Sequence, residues 1–278
     1  MSSSTWMPLA VSSEASDWRA SIWRIVEAQH VASTMKVVDT AAEQDLLETL
    51  LETSKPSFPE GAERLDYVLA TPFRYDPIRA GSRFRSVTDP GVFYGAETVH
   101  TACAELGYWR WKFLMDADDL DKIDPVAHTA FRADVRTTAV DLRAPPFARD
   151  AASWTHPIDY AATQAFARTA REAGIGAIVY QSVRDPEAGW CAAILTPAAF
   201  SSKRRHPSTQ TWWLAVHQDQ VIWRRDHETI AFQITDSGAT TRTLSPLTRA
   251  NQDRLARSIE QYRSGALTPH DLVDPDAE

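Results

Sequence analysis

Apolar residues recur with different periods along this chain, and each change of period predicts an element. SIWRIV, residues 21–26, is β-prone and predicts a first strand. Thr40 and Glu43 stand three residues apart ahead of Leu46, Leu47, Leu50 and Leu51, which is the spacing of a capping box in front of a helix ending before Pro56. Residues 58–77 carry Pro59, Pro72 and Pro77 without a sustained period, so an ordered connection with at most one short helix is expected there. SRFRSV and VFYGA flank Thr88-Asp89-Pro90-Gly91, a strong turn sequence, and together predict a hairpin. From Thr98 to about Met115, Val99, Ala102, Cys103, Leu106, Trp109 and Phe113 fall on one stripe of an amphipathic helix.

In the second half, residues 128–142 alternate in part and predict a strand. Residues 157–173 read as a helix closed by Gly174, and the apolar runs IGAIVY and WCAAIL follow as strands. After a polar, basic stretch at 201–208, TWWLAVH, QVIWRR and TIAFQIT predict a three-stranded meander. A last helix runs from Ser245-Pro246 to Gly265, before an acidic tail containing Asp271, Asp274, Asp276 and Glu278. The succession predicts an α+β fold of mixed or antiparallel sheets with flanking helices. It divides into a loose arm over 1–19, a main domain over 20–200, and a C-terminal extension over 201–278 packed on the same domain.

Composition narrows the class. At 278 residues, 44% hydrophobic and 24% charged, the chain is a folded protein of one large or two small domains. Its 29 basic residues against 37 acidic ones give a formal charge of −8, the wrong sign for holding a nucleic-acid backbone. Two cysteines, Cys103 and Cys191, each in an apolar segment, supply neither a disulfide framework nor a thiolate zinc site, and a reduced cytoplasmic chain is expected. The N-terminus lacks the basic and apolar regions of a signal peptide. No run approaches the 18 or so apolar residues of a membrane span.

The common catalytic signatures are absent: there is no GxSxG, GxxxxGK[ST], HExxH or GxGxxG. The eight histidines are scattered without an i,i+4 pair, so no metal site is expected. Residues 81–106 stand out instead, mixing arginines, a tyrosine and one acid. Glu105 lies about 90° from the centre of the helical stripe, at its flank, where a carboxylate is costly unless bound. A salt bridge to Arg83 or Arg85 is the plain structural alternative. For Tyr94 that alternative is a packed aromatic with its hydroxyl at the surface. Ser182 follows a buried strand, a place where ligand crevices form, although a polar residue there can simply end the strand. Trp212 and Trp213 must face opposite sides of a strand, and Arg184-Asp185 and Lys203-Arg204-Arg205 read as solvated charges.

These residues resemble, in order and spacing, the RES-domain family, toxins of type II toxin–antitoxin modules named for an Arg-Glu-Ser set. The matching elements are Gly81-Ser-Arg83-Phe84, Tyr94, Ala102-Cys-Ala-Glu105 and Ile178-Val-Tyr-Gln-Ser182. The opening IWRIV, with Arg24, extends the likeness, which covers roughly 20–200. Residues 30–72 are an insertion relative to short members, and Phe84 stands where Trp is frequent. The resemblance implies an ADP-ribosyltransferase-like fold that binds NAD as substrate and cleaves its nicotinamide–ribose bond by phosphorolysis or hydrolysis, with protein ADP-ribosylation as an alternative. It further implies Glu105 stabilising the developing ribosyl cation, Arg83 on phosphate, Arg24 as a weaker second phosphate or ribose contact, Tyr94 on nicotinamide and Ser182 on the ribose. It also implies neutralisation by a helix-turn-helix, Xre-like antitoxin. A non-catalytic protein-binding module is the reading from outside the enzyme class.

Overall fold

A computed structural model describes residues 6–28, 38–75, 81–234 and 240–242. Its frame is a pair of long strands, β1 (Ser16–Glu27) and β3 (Ile123–Asp141), antiparallel from Ser16 opposite Ala139 to Glu27 opposite His128. The other edge of β3 is shared. Its end pairs in parallel with β4 (Ala177–Gln181), and its beginning pairs antiparallel with β6 (Thr209–Val216). Strand β4 then pairs with β5 (Trp190–Ile194), β5 with β2 (Phe93–Ala96), and β2 returns to β1 through Trp23 opposite Ala96. Five strands thus close on themselves in the order β1-β2-β5-β4-β3. Where β2 crosses β1, a Cβ on Gly95 would lie 2.5 Å from Ile22 Cδ1, so that approach requires glycine.

Side-chain alternation gives the ring two faces. Ile22, Phe93, Phe131, Ala133, Val135, Ala177, Ala192 and Ile194 pack inside it. Ile25, Ala130, Ile178, Tyr180 and Cys191 face outward into a second core with the helices. From β6 the meander continues through β7 (Gln220–Arg225), β8 (Glu228–Ile234) and β9 (Thr240–Arg242). The helices are α1 (Pro8–Ser13), α2 (Ala41–Ser54), α3 (Tyr67–Arg74), α4 (Val99–Met115), α5 (Ala151–Trp154) and α6 (Ala161–Glu172). The α+β architecture of mixed sheet and flanking helices is the one expected.

Four expectations need correction. The segment 1–19 is not a loose arm where it is described: α1 and the first residues of β1 lie in it, Val11 is fully buried, and the Trp6 indole N–H donates to Asp150 at 3.0 Å. The hairpin does not form. Ser82 and Arg85 exchange backbone hydrogen bonds as a turn, and β2 pairs with β5 and β1 instead. Helix α4 is rotated relative to its apolar stripe, burying Thr101, Ala104, Gly107, Tyr108, Trp111 and Leu114 and leaving Trp109 and Phe113 exposed. Arg184 and Asp185 are buried rather than solvated. The helix expected over 245–265 and the acidic tail lie outside the described residues.

Candidate functional site

One wall of the site is α4. Thr98 starts it, its hydroxyl accepting from Thr101 N–H, and Glu105 then projects from the second turn toward the outer face of the ring. A cleft of about 230 Å³ opens there, lined among others by Trp23, Arg24, Arg83, Tyr94, Glu105, Trp109, Tyr160, Tyr180, Arg184 and Cys191. The floor is apolar. Tyr180 and Cys191 are buried, and burial pushes both the phenol and the thiol well above their usual ranges, so both stay neutral.

Ser182 follows β4 and sits 3% exposed, behind Glu105 rather than in the cleft lining. Its Oγ accepts from the N–H groups of Arg184 at 3.2 Å and Asp185 at 3.0 Å. With those acceptor positions taken, the hydroxyl proton points to Glu105 Oε1 at 2.6 Å. The serine hydroxyl is thus directed at the Glu105 carboxylate. The turn is pinned to α4 by Asp185, which accepts from the Thr101 hydroxyl at 2.7 Å and lies 3.2 Å from His100 Nδ1. Burial alone would raise the Asp185 carboxyl, but the adjacent His100 imidazole and hydrogen bonds from the Thr101 hydroxyl and the Glu187 N–H outweigh it and hold it below the usual carboxylate range.

Arg83 occupies the turn before β2. Its Nη1 donates to Trp154 O and His156 O, both at 2.9 Å, and its guanidinium lies 4.7 Å from the centroid of the Tyr160 ring. The Arg83–Glu105 salt bridge considered from sequence is absent among the described residues. Tyr94 lines the cleft with its ring, but its hydroxyl is inside the protein, not at the surface. It accepts from the Phe84 N–H at 3.0 Å and shares a hydrogen bond with Ser82 Oγ at 2.7 Å, fixing the turn that carries Arg83. Arg24 donates to the Tyr94 carbonyl at 2.8 Å and stacks 4.7 Å from the Phe93 centroid. Burial lowers its pKa to about 10, which leaves it cationic at neutral pH.

All five residues singled out from sequence, Arg24, Arg83, Tyr94, Glu105 and Ser182, thus converge on one cleft or directly behind it. Tyr160, Tyr180, Trp109 and Arg184 join them without having been foreseen. Among the described residues no cluster of His, Cys, Asp or Glu is arranged to hold a metal ion, and no helix is long and apolar enough to cross a membrane.

The RES domain model matches residues 59–217, more than half of the chain and every lining residue of the cleft except Trp23, Arg24 and Ile25 on β1. The chain belongs to the RES-domain family. Among solved structures it is similar to the M. tuberculosis MbcT–MbcA toxin–antitoxin complex, at 14% identity and a TM-score of 0.38, covering 80% of this chain and 88% of that one. No curated protein matches. The RES match begins at residue 59 and so leaves out α2, whereas it includes β6 and ends just after it.

Proposed function

We propose that this RES-domain protein is the toxin of a toxin–antitoxin module and that it consumes NAD by breaking the nicotinamide–ribose bond. The observation that carries the reading is Glu105: a carboxylate with no cationic partner among the described residues, oriented by Ser182 at the wall of an aromatic cleft that also presents arginines. A fixed negative charge of this kind stabilises the oxocarbenium-like ribose that forms as nicotinamide departs. The C1′–N bond breaks, its electron pair leaves with nicotinamide, and the acceptor oxygen bonds to C1′ while the acceptor's proton passes to solvent. Arg83 would hold the NAD phosphates, for which a guanidinium fork is better suited than an ammonium, and Tyr94 and Tyr160 offer ring faces. Ser182 acts through Glu105, and no nucleophilic serine is required.

Phosphate, water or a protein side chain would each complete the reaction, giving an NAD phosphorylase, a glycohydrolase or an ADP-ribosyltransferase. Incubation of the purified protein with NAD, with and without inorganic phosphate, tests the proposal. Nicotinamide release is expected, phosphate dependence identifies phosphorolysis, and label retained on protein identifies transfer. An intact NAD pool would overturn the reading in favour of a binding module. As a toxin acting on a cytoplasmic metabolite, the protein requires a silencing partner. A helix-turn-helix antitoxin placing a carboxylate on Arg83 would occlude the cleft, and saturating antitoxin should then abolish NAD binding.

A further inference from the structure

Arg184 is only 3% exposed, yet it lines the cleft beside Glu105. Its guanidinium carbon lies 3.4 Å from the centroid of Tyr108, one helical turn beyond Glu105 on α4, and its Nη2 donates to the Pro157 carbonyl. A buried cation is costly unless a charge or a ligand compensates it, and no carboxylate lies within ion-pair range of Arg184 among the described residues. Arg83, also buried at 8% exposure, likewise has no carboxylate within ion-pair range among the described residues. Both arginines are held by the same stretch, Trp154 and His156 binding Arg83, and Pro157 binding Arg184. Each spends one terminal nitrogen on that stretch. Arg83 Nε and Nη2, and Arg184 Nε and Nη1, have no acceptor among the described residues. In a chain of formal charge −8, this cleft is lined by Arg24, Arg83 and Arg184 against Glu105 alone.

We propose that Arg83 and Arg184 form a two-arginine clamp for a diphosphate, preset by the carbonyls of residues 154–157, with Arg184 as an anion-binding residue. The inference rests on the NAD reading and adds to it a recognition residue that fixes the diphosphate near Glu105. One guanidinium fork matches a single phosphoryl group, whereas two in one cleft can each take one of the pair through charge-assisted hydrogen bonds.

Calorimetry with ADP, which carries the diphosphate, and adenosine, which does not, separates the clamp from general damage to the site. Arg184→Gln is expected to weaken ADP binding about ten- to hundredfold, and Arg184→Lys several-fold, while adenosine affinity stays within about twofold. Should Arg184→Gln fail to fold, Arg184→Lys carries the test. ADP affinity unchanged in a folded variant would overturn the clamp, as would equal losses for ADP and adenosine. If the unmodified protein binds NAD and ADP but the variants do too, the clamp alone falls. If it binds neither, the NAD reading falls with it.

Discussion

Alternate residues of the same five strands build two surfaces of different character. Inside the ring, Phe93, Phe131, Ala133, Ala192 and Ile194 belong to one apolar cluster, with the Arg24 guanidinium stacked over the Phe93 ring. One residue along the chain in each direction, Tyr94 and Cys191 face a cleft in which Glu105, bound from behind by the Ser182 hydroxyl, and the guanidiniums of Arg83 and Arg184 have no ion-pair partner among the described residues. Apolar packing is tolerant of position and contributes in proportion to area, whereas the buried polar groups opposite are costly until fully partnered. The inner face therefore supplies stability, and the outer face holds buried polar groups at some cost to it.

The division breaks most visibly at Phe131, which is fully buried in the ring. Phe131→Ala should lower the unfolding free energy by about 3–5 kcal/mol, measured by urea denaturation, while activity per folded molecule is retained. Glu105→Gln should behave in the opposite way. NAD cleavage is expected to fall about 10²–10³-fold, because the amide keeps the shape and removes the charge, with the urea midpoint nearly unchanged. Turnover near the unmodified level in folded Glu105→Gln protein would remove Glu105 from the chemistry. Ser182→Ala sharpens the contrast, since it frees the carboxylate and strands two buried N–H groups at once. A fall in kcat of about tenfold, larger than any change in KM, is expected from losing a hydrogen bond to a charged group.

How much of this was legible depends on whether the signal was local. The capping box at Thr40 and Glu43 is present as read, and α2 runs Ala41–Ser54. The apolar runs at 175–180 and 190–195 are the antiparallel pair β4 and β5, and Trp212 and Trp213 do face opposite sides, at 1% and 51% exposure. The spacing of Arg83, Tyr94, Glu105 and Ser182 identified the residues that meet at the cleft. Misreadings arose where distant partners decide. Helix α4 packs its small residues against the meander, and a Cβ at Gly107 would stand 2.8 Å from Val221 Cγ1, so the larger apolar residues Trp109 and Phe113 turn away. Counting apolar residues cannot see that preference. Arg184 and Asp185 look like surface charges because Tyr108, Pro157, Thr101 and His100, which bury them, lie 27 to 85 positions away.

The smallest effect belongs to Tyr94, whose two ends serve different ends of the comparison. Its hydroxyl accepts the buried Phe84 N–H and joins Ser82, a structural task, while its ring lines the cleft. Tyr94→Phe removes only the first, leaving the Phe84 N–H unpaired, and should cost about 1 kcal/mol of stability. Because the turn so loosened carries Arg83, KM for NAD should rise a few-fold with kcat little altered. Tyr94→Leu removes the ring as well. If the ring face holds nicotinamide, Tyr94→Leu should lose about tenfold more in kcat/KM than Tyr94→Phe at similar stability, since stacking on a base-like ring is worth roughly 1–3 kcal/mol. Equal kinetics in the two variants would confine Tyr94 to holding the turn and leave Tyr160, stacked on Arg83, as the aromatic surface that meets the substrate.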